Sequence, residues 1–288
     1  MRENKPFVIF IDELDQCRPL YTIEYLERIK HIFGIERLVF VLSIDKKNLA
    51  KSIQSQYGNI DANNYLRRFI DLEFDFKNPG INKFCDVLCQ NFKLNDILVS
   101  KEISVNEVHE RGSYLFAMRT LATGFNLSLR QVEQIFIKLQ IIFKTTEHRI
   151  VPKHLLVLAL FGSLKSYDNN LYLGLINRRA EAKKAIKALI IAIKDDEFRG
   201  NELEDFKIEI SAIIDTTTLS DNELDALIKQ KEDELLTIDN KDSQEYLKLR
   251  YYIAILKYSP GDWDDYRYNQ MTKAVIKKVD FADKFNFD

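Results

Sequence analysis

Residues 7–11, Phe-Val-Ile-Phe-Ile, form an unbroken β-branched and aromatic run that leads directly into Asp12-Glu13-Leu14-Asp15. Such a run predicts a strand buried on both faces, as in a parallel sheet. Carboxylates at the carboxyl end of that strand would stand at the edge where open α/β sheets bind their ligands. Residues 38–44, Leu-Val-Phe-Val-Leu-Ser-Ile, repeat the pattern. Between the two, Thr22 to Phe33 has the spacing of an amphipathic helix, with Ile23, Leu26, Ile29 and Phe33 on one broad side and Gly34 placed to end it. Strand, helix and strand in about forty residues predict a right-handed βαβ unit. Residues 71–76, Asp-Leu-Glu-Phe-Asp-Phe, alternate polar and apolar and predict a third strand nearer an edge, stopped by Asn78-Pro79-Gly80.

After Pro79 the period changes from two to that of a helix. Helical spacing runs through 81–95, 102–124, 128–145, 152–165, 180–199, 201–214, 220–236 and 243–258. Ser128 with Gln131 and Ser220 with Glu223 have the spacing of capping boxes, while Thr216-Thr217-Thr218 reads as a break. Ser259-Pro260-Gly261 reads as a turn, and the aromatic tail from Trp263 shows no period. The fold class is therefore α/β followed by all-α. The expected division is an α/β core over 1–78, a helical lid-like part over 79–150 and a helical accessory region over 151–288. A two- or three-stranded parallel sheet needs cover on both faces and both edges, so helices must wrap it or further strands must join it.

Composition sets outer limits. Forty-two Lys and Arg interleave with 44 Asp and Glu for a net charge of −2, which gives no general electrostatic grip on nucleic acid or anionic lipid. Three cysteines, Cys17, Cys85 and Cys89, are too few for a secreted disulfide framework, and all three read as buried thiols of a reducing cytoplasm. The longest apolar runs fall well short of the ~20 residues that span a bilayer. The chain reads as soluble.

The acidic turn carries the chemistry. In a nucleotide hydrolase of this layout the first acid holds Mg²⁺, and a second beside it orients or deprotonates the attacking water. The plain alternative is that Asp12 and Asp15 cap a turn or the following helix. The longer string F-V-I-F-I-D-E-L-D-Q-C-R-P, Phe7 to Pro19, resembles the motif of KAP-type P-loop NTPases, in which an apolar strand is followed by D-D/E-L-D-R-C-x-P. Asp12, Glu13, Leu14, Asp15, Cys17 and Pro19 match, whereas Gln16 stands where the family commonly has Arg. The strand ending in Ser43-Ile44-Asp45 looks like the family's sensor-1 strand. Tyr65-Leu66-Arg67-Arg68-Phe69-Ile70 resembles its Y-L-x-K-type string, and Asn126-Leu127-Ser128-Leu129-Arg130 resembles the start of a lid helix.

The resemblance implies a P-loop NTPase-type sheet using ATP and Mg²⁺, with Asp12 and Glu13 catalytic and Asp12 and Asp15 on the metal. Ser43 or Asp45 would face the γ-phosphate, Arg67 or Arg68 would reach a neighbouring nucleotide, and Arg130 would be a lid contact. Each arginine has a plain alternative as a solvated or locally paired surface charge. No stretch fits G-x-x-x-x-G-K-[ST], the loop whose backbone N–H groups cradle phosphate, so the chain reads as the back half of such an enzyme, with little ATP turnover by itself. The implied class is a signalling or phage-exclusion ATPase, acting on a protein effector through its helices and partnered by a second copy or by the missing front half. Membrane association, common in the family, stays open. One competing expectation is an interaction protein that keeps the α/β part as scaffold. Another is a metal-dependent nuclease or phosphatase built on Asp12, Glu13 and Asp15, for which the sequence supplies no further clustered acids or histidines.

Overall fold

In the computed structural model Phe7–Asp12 forms β1 and Leu38–Ser43 forms β2, paired in parallel from Phe7 opposite Leu38 to Asp12 opposite Ser43. The structure describes residues 5–100, 114–146, 152–194, 201–257 and 275–280. Within them the chain divides into two compact units, Met1–Lys77 and Asn78–Asp288.

In the first unit a single-turn 3-10 helix, Leu14–Gln16, joins β1 to α1, Pro19–Lys30. Proline opens α1 at a position where its missing N–H costs nothing. α2, Lys46–Tyr57, and the short α3, Ala62–Leu66, follow β2. Leu14, Ile23, Leu26, Ile29, Leu49, Ile53, Tyr65, Leu66 and Phe69 form one buried cluster, and Ile11, Phe40 and Leu42 of the sheet pack against it. Leu26, Leu49 and Ile53 are fully buried.

Two expectations for this unit fail. The strands are covered on one face only: Val8, Phe10, Val39 and Val41, which alternate with the packed residues, are exposed. The reason is that the buried residues of α1, α2 and α3 all belong to the same cluster, leaving no helix of this unit for the opposite face. The predicted strand over 71–76 is not a strand, because the sheet has two members and no ladder reaches that segment. Its alternating Leu72, Phe74 and Phe76 are 76%, 80% and 93% exposed, so the period-two pattern is present without a partner to satisfy it.

Among the described residues the regular elements of the second unit are all helices. Its elements are α4 (Ile81–Asn91), α5 (Leu94–Val99), α6 (Tyr114–Gly124), α7 (Leu129–Thr145), α8 (Pro152–Tyr167), α9 (Asn169–Ile176), α10 (Ala180–Ala192), α11 (Glu202–Thr218), α12 (Asp221–Leu236) and α13 (Gln244–Lys257). A further helical turn covers 275–280. One hydrophobic cluster runs from Cys85 to Val279, so 79–150 and 151–288 share a core. The expected capping boxes at Ser128–Gln131 and Ser220–Glu223 both form.

The predicted break at Thr216–Thr218 does not occur, and α11 continues through it. All three threonines are buried. Their hydroxyls donate to carbonyls one turn back, Thr216 and Thr217 to Ile213 and Thr218 to Ile214, at 2.7–2.9 Å. Those bonds satisfy the groups whose competition with the backbone makes threonine a poor helix former elsewhere. The expected helical start at 102–113, the residues 195–199, the turn at 259–261 and the tail from Trp263 to 274 lie outside the described residues.

Candidate functional site

The candidate site grows from the carboxyl ends of β1 and β2. Parallel register sets Asp12 directly opposite Ser43, the last residue of each strand. Glu13 then leaves the extended region: its backbone is left-handed, φ 59° and ψ 24°. For a non-glycine residue that conformation costs on the order of 1 kcal/mol or more and persists only where surroundings enforce it. Here the Glu13 N–H donates both to Asp12 Oδ1, at 2.9 Å, and to the Ser43 carbonyl, at 3.2 Å. Its carbonyl accepts from the Gln16 N–H at 3.0 Å. The kink therefore closes the ladder between the strands and starts the next turn. Glu13 and Asp12 are exposed, Asp15 is half-buried, and none of the three carboxylates meets a basic side chain among the described residues.

The turn is anchored from beneath. Leu14 is buried in the core cluster. Thr22, fully buried in the first turn of α1, donates to the Leu14 carbonyl at 2.8 Å and to the Arg18 carbonyl at 3.2 Å. In the sequence Thr22 has only the place of a helix start. Its role in fixing the acidic turn needs the return of α1 beneath β1, which no local pattern encodes.

The other sequence-predicted residues are dispersed. Asp45 is the N-cap of α2, with Oδ1 accepting from the N–H groups of Lys47, at 2.8 Å, and Asn48, at 3.2 Å. Arg67 is the C-cap of α3, and Arg68 lies over the Tyr65 ring at 5.5 Å. Tyr57 and Tyr65 both donate to Glu27 Oε1 of α1, at 3.0 and 3.3 Å, which holds α3 in place. Arg67 lines a cavity of about 470 Å³ together with Lys46, Asn63, Asp71 and Glu73. Arg130 is exposed in the first turn of α7, in the second unit. The structure thus brings Asp12, Glu13, Asp15 and Ser43 to one sheet edge within the first unit, with Asp45 two residues beyond Ser43.

Fit to a metal follows from the donor set. Among the described residues no group of three or more His, Cys, Asp or Glu is arranged to hold an ion. Mg²⁺ at a nucleotide site needs less, since it keeps several waters and takes one or two carboxylates plus substrate phosphate. Asp12 and Asp15 are two carboxylates on this turn, the number such a site uses, whereas a two-metal hydrolytic centre would need more ligands.

The cysteines depart from expectation at one position. Cys85 and Cys89 are buried, but Cys17 is exposed at the end of the 3-10 turn. Burial pushes the Cys85 thiol up to about 12 and raises Cys89 as well. Cys89 also shares hydrogen bonds with the Tyr114 hydroxyl, at 2.7 Å, and Asn95 Oδ1, at 3.1 Å. A maleimide applied to the native chain should therefore add once, at Cys17, and three times after unfolding. Two native adducts by mass spectrometry would contradict this assignment.

Among the described residues no helix is long and apolar enough to cross a membrane. No curated protein and no solved structure matches the chain. The sequence does match the family described as KAP family P-loop domain, over residues 1–146, which takes in the whole first unit and the second as far as α7. By that match, which spans just over half of its 288 residues, the chain belongs to the KAP family of P-loop NTPases.

Proposed function

We propose that the β1–β2 edge is the magnesium-and-water side of an ATP-hydrolysing site. Asp12 holds the metal, with Asp15 as its second carboxylate, and Glu13 orients and deprotonates the attacking water. Ser43 contacts the γ-phosphate side, with Asp45 shaping the loop behind it. Arg67 or Arg68 reaches the phosphates of a nucleotide on a neighbouring copy, and Arg130 acts as a lid contact. Bound Mg²⁺ would neutralise charge that develops on the phosphoryl oxygens. The observation that carries this reading is the juxtaposition of Asp12 and Ser43 at the strand ends, with Glu13 held in a left-handed conformation between them. Strain of that kind concentrates where a side chain must be aimed.

The phosphate cradle is absent from these 288 residues, since none of their glycines stands in a G-x-x-x-x-G-K-[ST] string. A complete ATP site needs such a cradle. In this reading 1–78 is the nucleotide core, 79–150 a lid, and 151–288 the part that transmits the nucleotide state to a protein effector, as in a signalling or phage-defence ATPase.

The test is ATP hydrolysis by the chain expressed with its flanking genomic sequence. Glu13→Gln should lower turnover at least ~100-fold, the scale of a lost general base, while Mg·ATP affinity stays within about threefold. Unchanged turnover would remove Glu13 from the mechanism. No binding and no turnover in any form would favour the second reading, a non-catalytic interaction protein, whose support is the missing cradle.

A further inference from the structure

Lys46 opens α2 three residues after Ser43, and its ammonium group is 2.7 Å from both carboxylate oxygens of Glu73. Both side chains remain well exposed, at 38% and 54%. The same cavity is lined by Arg67, Asn63 and Asp71. Among the described residues the Arg67 guanidinium has no acidic partner. A bidentate carboxylate on a lysine, with an uncommitted arginine and a side-chain amide beside it, is the arrangement that a phosphate group's oxygens can replace one for one. With Glu73 in place the four charged groups cancel. With Glu73 withdrawn, Lys46 and Arg67 outweigh Asp71 and the cavity becomes cationic.

Glu73 is held by one exposed ion pair. It belongs to the segment 71–77, which has no regular structure, and the bond to Lys46 is the segment's tie to the rest of the first unit among the described hydrogen bonds. Exposed ion pairs of this type contribute little, and breaking one changes an equilibrium by no more than about fivefold. We propose that this cavity binds an oligophosphate, with Glu73 as an internal competitor that an incoming phosphate displaces from Lys46. The proposal rests on the nucleotide reading for the natural source of the phosphates, and adds Lys46, Asn63 and the Glu73 latch to it.

Binding of inorganic tripolyphosphate to the full chain, by calorimetry in magnesium-free buffer, tests it directly. Saturable binding is expected. Glu73→Gln should tighten it about two- to fivefold, the reach of one exposed pair, whereas Lys46→Met and Arg67→Gln should each weaken it about tenfold or more. Lys46→Arg should restore most of the loss, which separates a charge contact from a fold defect. An unchanged or weaker affinity in Glu73→Gln, or unchanged affinity in Lys46→Met, would overturn the proposal. Repeating the titration in Asp12→Asn separates the two readings. Lys46-dependent binding that survives this substitution supports the cavity whatever the fate of the hydrolytic assignment. Glu13-dependent ATP turnover together with tripolyphosphate binding that is indifferent to Lys46 and Glu73 would leave hydrolysis standing and remove the cavity. Competition between tripolyphosphate and ATP would assign the phosphates to a nucleotide, and its absence would assign the cavity to a free oligophosphate.

Discussion

Asp215→Ala should destabilise the helical unit by about 3 kcal/mol, the lower end of the range for breaking a buried ion pair. Asp215 is 2% exposed in α11. Its carboxylate accepts from Lys187 at 2.5 Å and pairs with Lys183 at 2.8 Å, both from α10, and the Tyr252 hydroxyl of α13 donates to the same group. One side chain therefore joins three helices. The lower end of the range applies because the two lysines are 24% and 28% exposed, so they can recover part of their hydration once the carboxylate is gone. Urea denaturation at neutral pH, followed by helical circular dichroism, measures the loss. Adding Lys183→Met and Lys187→Met to Asp215→Leu should recover much of it, since apolar replacements of a buried ionic group are often neutral or better.

The same carboxylate gives the stability a pH dependence of known sign. Burial pushes the Asp215 carboxyl up, but Lys187, Lys183 and the Tyr252 hydrogen bond outweigh it and hold the group below its ordinary range. A carboxyl depressed in the folded state contributes stability that is fully present above the unfolded value, near 3.9, and is lost as pH falls through the folded one. The difference between wild type and Asp215→Ala should thus be constant from pH 7 down to about 5 and shrink below about 4. A difference that grew on acidification would show that the carboxylate is not held ionised by its partners.

Leu26→Ala carries the largest expected effect in the first unit, about 2–5 kcal/mol, because a fully buried leucine leaves both lost transfer energy and a cavity. Leu26 is 0% exposed, at the centre of a cluster to which α1, α2, α3 and the covered sheet face all contribute. A unit of residues 1–77 has a stability of roughly 4–12 kcal/mol by size alone, so the substitution removes a large share of it. Hydrogen exchange provides the readout. Amides of α1 and α2 should lose protection by a factor of about 30 or more, while those of α7 change little, because Val132, Ile135, Phe136 and Leu139 belong to a different core. Equal loss in both units would mean that the chain unfolds as one body.

Much of what positions the acidic turn was legible in the residues themselves. The apolar runs at 7–11 and 38–44 and the two serine capping boxes specify their elements through bonds and periods a few residues long, and each formed within a residue or two of its expected place. The helix expected over 22–33 formed three residues earlier at both ends, as Pro19–Lys30. The family was legible for the same reason, because its motif is a contiguous string from Phe7 to Pro19. Tertiary structure alone decided the rest. Residues 71–76 have the alternation of a strand, but a strand exists only through a partner's backbone, and pattern cannot supply one. The threonine triplet reads as a break until burial turns its hydroxyls back onto their own helix. Thr22 under the acidic turn, Glu73 on Lys46 and Asp215 between two lysines join residues 8, 27 and about thirty positions apart. Such pairs depend on how helices return in space, and that is settled by packing, not by neighbours in the chain.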